Sequence, residues 1–486
     1  MEAVIKDGSA GASRVSPAKQ GSLGLLGLTS LVVGSMIGSG AFSLPQNLAA
    51  GAGAGAILIG WVITAVGMLT LARVFQMLAL SRPDIKGGVY GYARAGFGDY
   101  LGFSSAWGYW LSAWIGNTGY LVLLFSALSW FFPGAGFGEG NTLAAVAGAS
   151  ALLWAMHALV LRGAHTAALV NTIATVAKLV PLALFVVCAM LAAKIDTLRL
   201  DFWGSPALGG LLSQVKSTML VTVWAFIGIE GASVYSGRAR AMQDVGRATV
   251  LGLMLTLGLL IAVSVLSLAV LPQAELAQLK NPSMGGVLSH VLGPWGAALV
   301  NGGLIISVAG ALLAWTLLAA ELPHLAALDG VFPRLFGRAN QHDAPVTALW
   351  LTNLCVQGFL LLSMFANGAY LLLIKLATST ILLPYLLCAL FALMVARQDK
   401  VGRGALLVAL LASVYGIWLL YAAGPAYLLV TAFLYAPGVA VYGWARREAG
   451  LPFASRADWP WLALTGLSLL ACLLALATGW LDLAKL

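Results

Sequence analysis

Residues 34–40 read GSMIGSG, three glycines and two serines in the middle of an apolar run that extends from about 23 to 50. Glycine is a weak helix former and serine competes for backbone hydrogen bonds, so this stretch interrupts a helix that its neighbours would otherwise complete. Composition says where that helix lies. The 486 residues are 60% hydrophobic and only 9% charged, with a mean hydropathy of +0.93, against about 25% charged residues in soluble domains. This is the composition of an integral membrane protein. In hydrocarbon an unpaired backbone N–H or C=O is costly, so a helix break is tolerated only where it lines a cavity or meets a ligand.

Working outward from the break, thirteen apolar runs are long enough to cross a bilayer, which takes about 20 residues. They lie near 23–50, 53–80, 100–131, 142–161, 166–193, 212–236, 248–271, 295–320, 345–365, 367–396, 404–423, 425–445 and 459–480. The polar first twenty residues read as a disordered cytoplasmic arm. The first run is too long for a signal-peptide core and leads straight into another span, which predicts retention. With the N-terminus inside, most of the 26 Lys and Arg fall in cytoplasmic segments. Lys194, Arg199, Lys216, Lys280 and Lys485 fall outside, and Arg73, Lys178 and Lys375 fall within spans. That bias predicts a cytoplasmic N-terminus and, after thirteen crossings, an external C-terminus. The net charge of +9 is thus a matter of topology and lipid contact and calls for no nucleic acid partner. Cys188, Cys355, Cys388 and Cys472 show no paired or metal-ligand spacing and read as small core residues.

A second break matches the first. The sixth run contains FIGIEGA, residues 226–232, and each interrupted run opens a group of five. Two interrupted segments in corresponding positions of two halves point to an inverted-repeat secondary transporter whose substrate site lies at the breaks. The expected fold is therefore an all-α polytopic membrane protein: a first repeat over 21–195, a second over 196–397, and three further spans over 398–486. Close packing of small residues is the plain alternative for either break alone. Unwinding frees N–H groups at a positive helix end, suited to a carboxylate, and carbonyls suited to an ammonium. An amino acid carries both.

Six stretches then carry a resemblance. GSMIGSGAFSLPQNLA (34–49), GGVYGYARAGFGDYLGF (87–103), YWLSAWIGN (109–117), VWAFIGIEGASV (223–234), AWTLLAAELPHLAALDGVFPRLFGRAN (314–340) and LATSTILLPYLL (376–387) resemble, in this order, the amino acid-polyamine-organocation superfamily. They are most similar to its basic amino acid/polyamine antiporters. A thirteenth span and the run SGRARAMQDVGRATVLG (236–252) favour the arginine-ornithine branch. The resemblance implies that Ser39 and Gly40, with Ser35 and Gly38 nearby, bind the substrate carboxylate. It implies that Trp224 packs on the aliphatic chain and helps close the outer side, that the Ile227 carbonyl meets the α-ammonium, and that Glu230 stands at the inner gate. Trp315 would stack on a guanidinium or cover a side chain. Tyr109, Ser112, Ala113 and Asn117 would form the wall and the inner gate. Relatives in that family are often dimers, but no dimer interface is legible in the sequence.

Some of these residues speak for themselves. A carboxylate within a span, as at Glu230, costs several kcal/mol unless paired or protonated, so it is a functional candidate by default; its structural alternative is a cap on the broken helix. A cation over an indole gains about 0.5–2 kcal/mol, which gives Trp224 and Trp315 a use beyond packing, whereas Trp110 and Trp114 read as packing within span three. Lys178 lies mid-span, with snorkelling to an interface as the alternative. In relatives a lysine in this span is thought to stand where sodium-coupled cousins hold a metal ion, which implies sodium independence. Lys375 departs from the expected arginine-ornithine pattern. It stands 197 residues after Lys178, close to the 192 between Gly38 and Glu230, so the spacing suggests that the two lysines are pseudo-symmetric mates in the two repeats; a pairing of Lys375 with Glu230 would weaken the site's attraction for a cationic side chain.

The charged connectors at 82–98 and 321–343 read as interfacial, and Arg238, Arg240 and Arg247 as positive-inside anchors. His157 and His165 are isolated and suggest no metal site. The run GAGAGA at 51–56 lacks both a strand–turn–helix setting and a P-loop lysine, so no nucleotide site follows. No cofactor is implied. The expected function is a secondary amino acid antiporter exchanging arginine for ornithine or a similar basic amino acid or amine by alternating access in the cell membrane. A proton-coupled permease of the same fold and a non-transporting membrane sensor or scaffold are the competing readings. No nucleophile–base pair or metal cluster suggests an enzyme.

Overall fold

The structure is a computed structural model that describes residues 24–85, 87–162, 167–229, 242–398 and 402–482. Each of the thirteen apolar runs is helical over most of its described length, and no strand occurs among the described residues. The N-terminal arm, Glu230, Arg238, Arg240 and His165 lie outside the described residues.

The first run forms α1 (Leu25–Met36) and α2 (Gly40–Ala49), bent by 43° at the predicted break. There follow α3 (Ala54–Ser81), a surface helix α4 (Gly88–Phe97), α5 (Asp99–Phe131), α6 (Leu143–Leu161) and α7 (Ala167–Ala192). The sixth run begins as α8 (Leu211–Trp224) and stops there, giving way to turns through Ile229. The remainder is α9 (Met242–Val270), the short α10 (Ser283–Leu292), α11 (Pro294–Leu328), α12 (Val346–Ser363), α13 (Ala369–Gln398), α14 (Arg403–Glu448) and α15 (Trp459–Ala477).

Among the described residues nine helices are long and apolar enough to cross a membrane, and the bent α1–α2 pair adds one more. α14 is 46 residues long, about 69 Å at 1.5 Å per residue, twice what a hydrocarbon core of about 30 Å requires. Gly424, at φ 77° and ψ 163°, interrupts it where the runs 404–423 and 425–445 meet, and Pro425 withholds the next N–H. Leu26, Leu191 and Phe365 are each more than 80% exposed, an apolar surface suited to lipid. The protein is a multi-pass membrane protein.

α5 is the central post: 27 of its 33 residues are buried, and it packs on α11, α12, α13 and α14. Small residues allow this, because a Cβ on Gly108 would overlap the Tyr435 hydroxyl. Trp110 and Trp114 serve packing as expected, Trp110 donating to Thr352 Oγ1 at 2.9 Å and Trp114 meeting Phe359 edge-on at 4.7 Å. α13 and α14 pack together and on the post, and α1, α7 and α9 form a second group that packs on itself.

Candidate functional site

The two breaks touch. α1 stops at Met36, and Ile37 and Gly38 turn back on the carbonyls of Val33 and Met36 before α2 begins. Beyond α8, the N–H groups of Phe226, Ile227 and Ile229 each reach back three residues in tight turns, and Gly228 adopts φ +106°, a conformation that only glycine takes without strain. Ser35 Oγ donates to the Gly228 carbonyl at 3.2 Å.

Beside this junction lies a small pocket lined from α1, α2, α5, α8 and α11. Eight residues predicted from the sequence line it: Gly38, Gly40, Ser112, Ala113, Asn117, Trp224, Ile227 and Trp315. Ser35 and Ser39 do not. Ser35 spans the two breaks, and Ser39 Oγ is 2.9 Å from the Tyr370 hydroxyl. Tyr109 is buried and also lies off the lining, and Glu230 falls outside the described residues.

Glycine at 38, 40 and 116 is explained by side-chain approach. A Cβ on Gly38 would meet the Tyr120 hydroxyl at 2.5 Å; on Gly40 it would meet Trp224 Cδ1 at 3.0 Å, and on Gly116 Trp224 Cη2 at 2.8 Å. The Trp224 indole therefore lies wedged between α2 and α5, with Tyr120 against it at 6.0 Å between ring centroids. Neither Gly38 nor Gly40 has a positive φ, so sequence reasoning located the break correctly while missing why two of its glycines are there.

Met36, Gly116 and Tyr120, not expected from the sequence, also line the pocket. A signal for the last two was present: 109, 112, 113, 116, 117 and 120 recur at three- and four-residue steps, one face of a helix. Tyr370 carried no comparable signal.

The polar character of the pocket is neutral. No charged side chain lines it among the described residues. Ser112 Oγ and both amide atoms of Asn117 are buried and have no hydrogen-bond partner among the described residues, and leaving such groups unpaired is costly, so they are available to a polar ligand. At the start of α2 the first N–H groups lack intrahelical acceptors, and Ser39, at the capping position, does not cap them. This end presents donors and partial positive charge to an anion.

Lys178 is 2% exposed, and its ammonium donates to the Gly34 carbonyl at the end of α1. A cation at a helix C-terminus is favourable, so Lys178 holds the first break from behind and stays outside the pocket. Lys375 is half-buried, with Nζ 5.7 Å from the Tyr427 ring centroid; its expected partner Glu230 is beyond the described residues. No group of three potential metal ligands occurs among the described residues.

The chain resembles known proteins over most of its length. The amino acid permease family description matches residues 23–445. The chain is 54% identical over 440 residues to an arginine/ornithine antiporter of Pseudomonas aeruginosa, covering 87% of this chain and 91% of the relative. It is 50% identical over 431 residues to a putative arginine/ornithine antiporter of Escherichia coli, covering 87% and 92%. It is 42% identical over 468 residues to an arginine/agmatine antiporter of Chlamydia abortus, covering 93% and 96%.

Proposed function

The chain belongs to the amino acid permease family, and we propose that within it the protein is a secondary antiporter exchanging arginine for ornithine, or a similar basic amino acid, by alternating access. The observation that carries this reading is the neutral pocket at the junction of the two broken helices. It offers uncapped N–H groups for a carboxylate at the start of α2, at Gly40, a break at Ile227 for an α-ammonium, and the faces of Trp224 and Trp315 for a cationic side chain. The relatives named as arginine antiporters support the choice of substrate.

In this reading Ser39 acts on the carboxylate through the network it shares with Tyr370, Ser35 keeps the two breaks in register, and Ser112, Ala113 and Asn117 form the wall. Tyr109 and Glu230 serve the inner gate. Lys178 takes the place of a metal ion behind the first break, which makes transport sodium-independent. Lys375 tunes the preference for a cation.

The finer architecture is part of the proposal: two inverted repeats over 21–195 and 196–397, three further spans, thirteen crossings in all, and a cytoplasmic N-terminus in the cell membrane. Exposed tryptophans support it. Trp130, Trp203, Trp295 and Trp480 lie where this topology puts the outer interface, and Trp350, Trp444, Trp459 and Trp461 where it puts the inner one, as expected of aromatic belts.

Exchange follows because a ligand lowers the cost of switching only through contacts that differ between the two states. Radiolabelled arginine uptake into proteoliposomes loaded with ornithine, lysine, agmatine, a neutral amino acid or buffer tests the reading. Uptake that depends on internal ornithine or lysine is expected. Equal uptake into buffer-loaded vesicles would replace the antiporter with a permease, and binding without uptake would replace it with a sensor.

A further inference from the structure

α2 carries two adjacent amides near its far end, Gln46 and Asn47, and neither lines the pocket. Both accept from the side chain of Asn281, whose Nδ2 stands 3.0 Å from Gln46 Oε1 and 2.8 Å from Asn47 Oδ1. Asn281 belongs to the segment 271–283 that leads from α9 into α10, and this segment grips α2 at two further points. Ser283 Oγ accepts from the Gln46 N–H at 3.0 Å, and Gln273 Nε2 donates to the Ala49 carbonyl at 2.5 Å. The short helix Gln273–Gln278 within it packs on α2, as does α10.

The same segment is tied to the central post. Ser126 Oγ of α5 donates to the Asn281 carbonyl at 2.5 Å, and Lys280 pairs at 3.5 Å with Glu139 in the loop after α5. Asn281 therefore holds α2 by its side chain and α5 by its backbone, while α2 and α5 share no broad interface of their own.

Helix rise locates this bridge. Gly40 on α2 and Tyr120 on α5 both line the pocket. Asn47 stands seven residues beyond Gly40, about 10 Å at 1.5 Å per residue, and Ser126 six beyond Tyr120, about 9 Å. Both helices thus run from the pocket by similar amounts to the same residue, and Asn281 joins them on that side of it. The bridge is also incompletely bonded. Asn47 Nδ2 and Asn281 Oδ1 are buried with no hydrogen-bond partner, which is costly, and water would pair both once the segment lifted. The closed bridge gives back part of what its bonds gain, the balance a two-state element needs.

We propose that segment 271–283 is a strap and Asn281 its latch: with the latch made, the pocket is shut on the side to which α2 leads, the outer side in the topology proposed above, and the bridge from α2 to α5 must part for substrate to pass there. The inference rests on the antiporter reading, which requires the site to open to each side in turn.

The test is the rate at which a membrane-impermeant maleimide labels a pocket cysteine, Ala113→Cys, in a full-length chain whose native cysteines are replaced by alanine. The rate is measured in intact cells and in inverted membrane vesicles, for this parent and with Ser126→Ala, Asn281→Ala or both. Each substitution is expected to raise labelling in intact cells several-fold, and the pair no further than the stronger single change, because the two links act in series. Ser126→Ala removes a single hydroxyl and keeps the test independent of any folding defect in Asn281→Ala. Unchanged rates in Ser126→Ala would overturn the latch, as would multiplied effects in the pair or a rise confined to inverted vesicles. Arginine exchange by wild-type protein in proteoliposomes is measured alongside: its absence would overturn the antiporter reading, an outcome distinct from an unchanged labelling rate, which overturns the latch alone.

Discussion

The Ser35 hydroxyl donates to the carbonyl of Gly228 across 193 residues of sequence, at 3.2 Å, and a Cβ on Gly228 would stand 3.0 Å from the Ser35 carbonyl oxygen. The two interrupted helices therefore meet at their breaks, and each holds the other open. Neither break would keep its shape alone, because each leaves backbone groups that must find partners in a medium without water.

Gly228→Ala should destabilise the protein. The residue sits at φ +106°, and forcing an alanine there costs about 1–3 kcal/mol even before the crowding at Ser35. The expected result is a lower melting temperature in detergent and loss of arginine exchange. A variant that melts with wild type and still exchanges would show that the junction is plastic.

Gly38→Ala should damage the site through a single atom. The added Cβ would lie 2.5 Å from the Tyr120 hydroxyl and 3.3 Å from its Cζ, so most of the clash disappears with the hydroxyl. Arginine binding should weaken by about tenfold or more in Gly38→Ala, a loss of about 1.4 kcal/mol, and recover in large part in Gly38→Ala/Tyr120→Phe. Absence of recovery would locate the damage in the backbone of the break.

Lys178→Met should leave the Gly34 carbonyl buried without its donor, a cost of about 1–3 kcal/mol. Lower thermal stability and loss of transport are expected, with partial rescue by Lys178→Arg, which keeps a cation at the end of α1. Full activity of Lys178→Met, with sodium absent, would mean that the first break needs no cation behind it.

Lys375→Ala separates two roles for this lysine. If the ammonium tunes the site's preference for cations, the variant should change arginine affinity several-fold with little change for a neutral amino acid. If it serves only as a packing partner of the Tyr427 ring, both affinities should stay as they were and only stability should fall.

Acid should weaken the head of α15. Burial opposes the charge on Asp458, but the bonds its carboxylate accepts from the N–H groups of Ser455 and Tyr100 and from the Tyr442 hydroxyl, at 2.8, 3.4 and 3.3 Å, outweigh it and hold the carboxyl below the usual range. A depressed folded-state pKa means that the stabilisation is complete above the unfolded value of about 3.9 and disappears as pH falls through the folded one. Wild-type melting temperature should therefore drop on acidification below about pH 4 more steeply than that of Asp458→Asn, which should be the less stable protein at neutral pH. Parallel curves would remove Asp458 from the account.

The membrane class, the two breaks and most of the pocket were legible in the chain, because hydrophobic run length and helix-breaking residues act locally and leave their mark on the adjacent sequence. GSMIGSG located the first break, and the stripe from Tyr109 through Tyr120 already places Gly116, Asn117 and Tyr120 on one helix face. What the tertiary structure alone decided was how partners far apart in sequence are paired. It set Tyr370 on Ser39 (331 residues away), the Lys178 ammonium on the Gly34 carbonyl, and the Trp224 indole between Gly40 and Gly116. Such pairings depend on how helices cross and which side chains then meet, and no local periodicity encodes a crossing. The same physics explains the glycines at 38 and 40: as helix breakers they can be read from the sequence, but the rings they make room for belong to other helices and become visible only once the chain has folded.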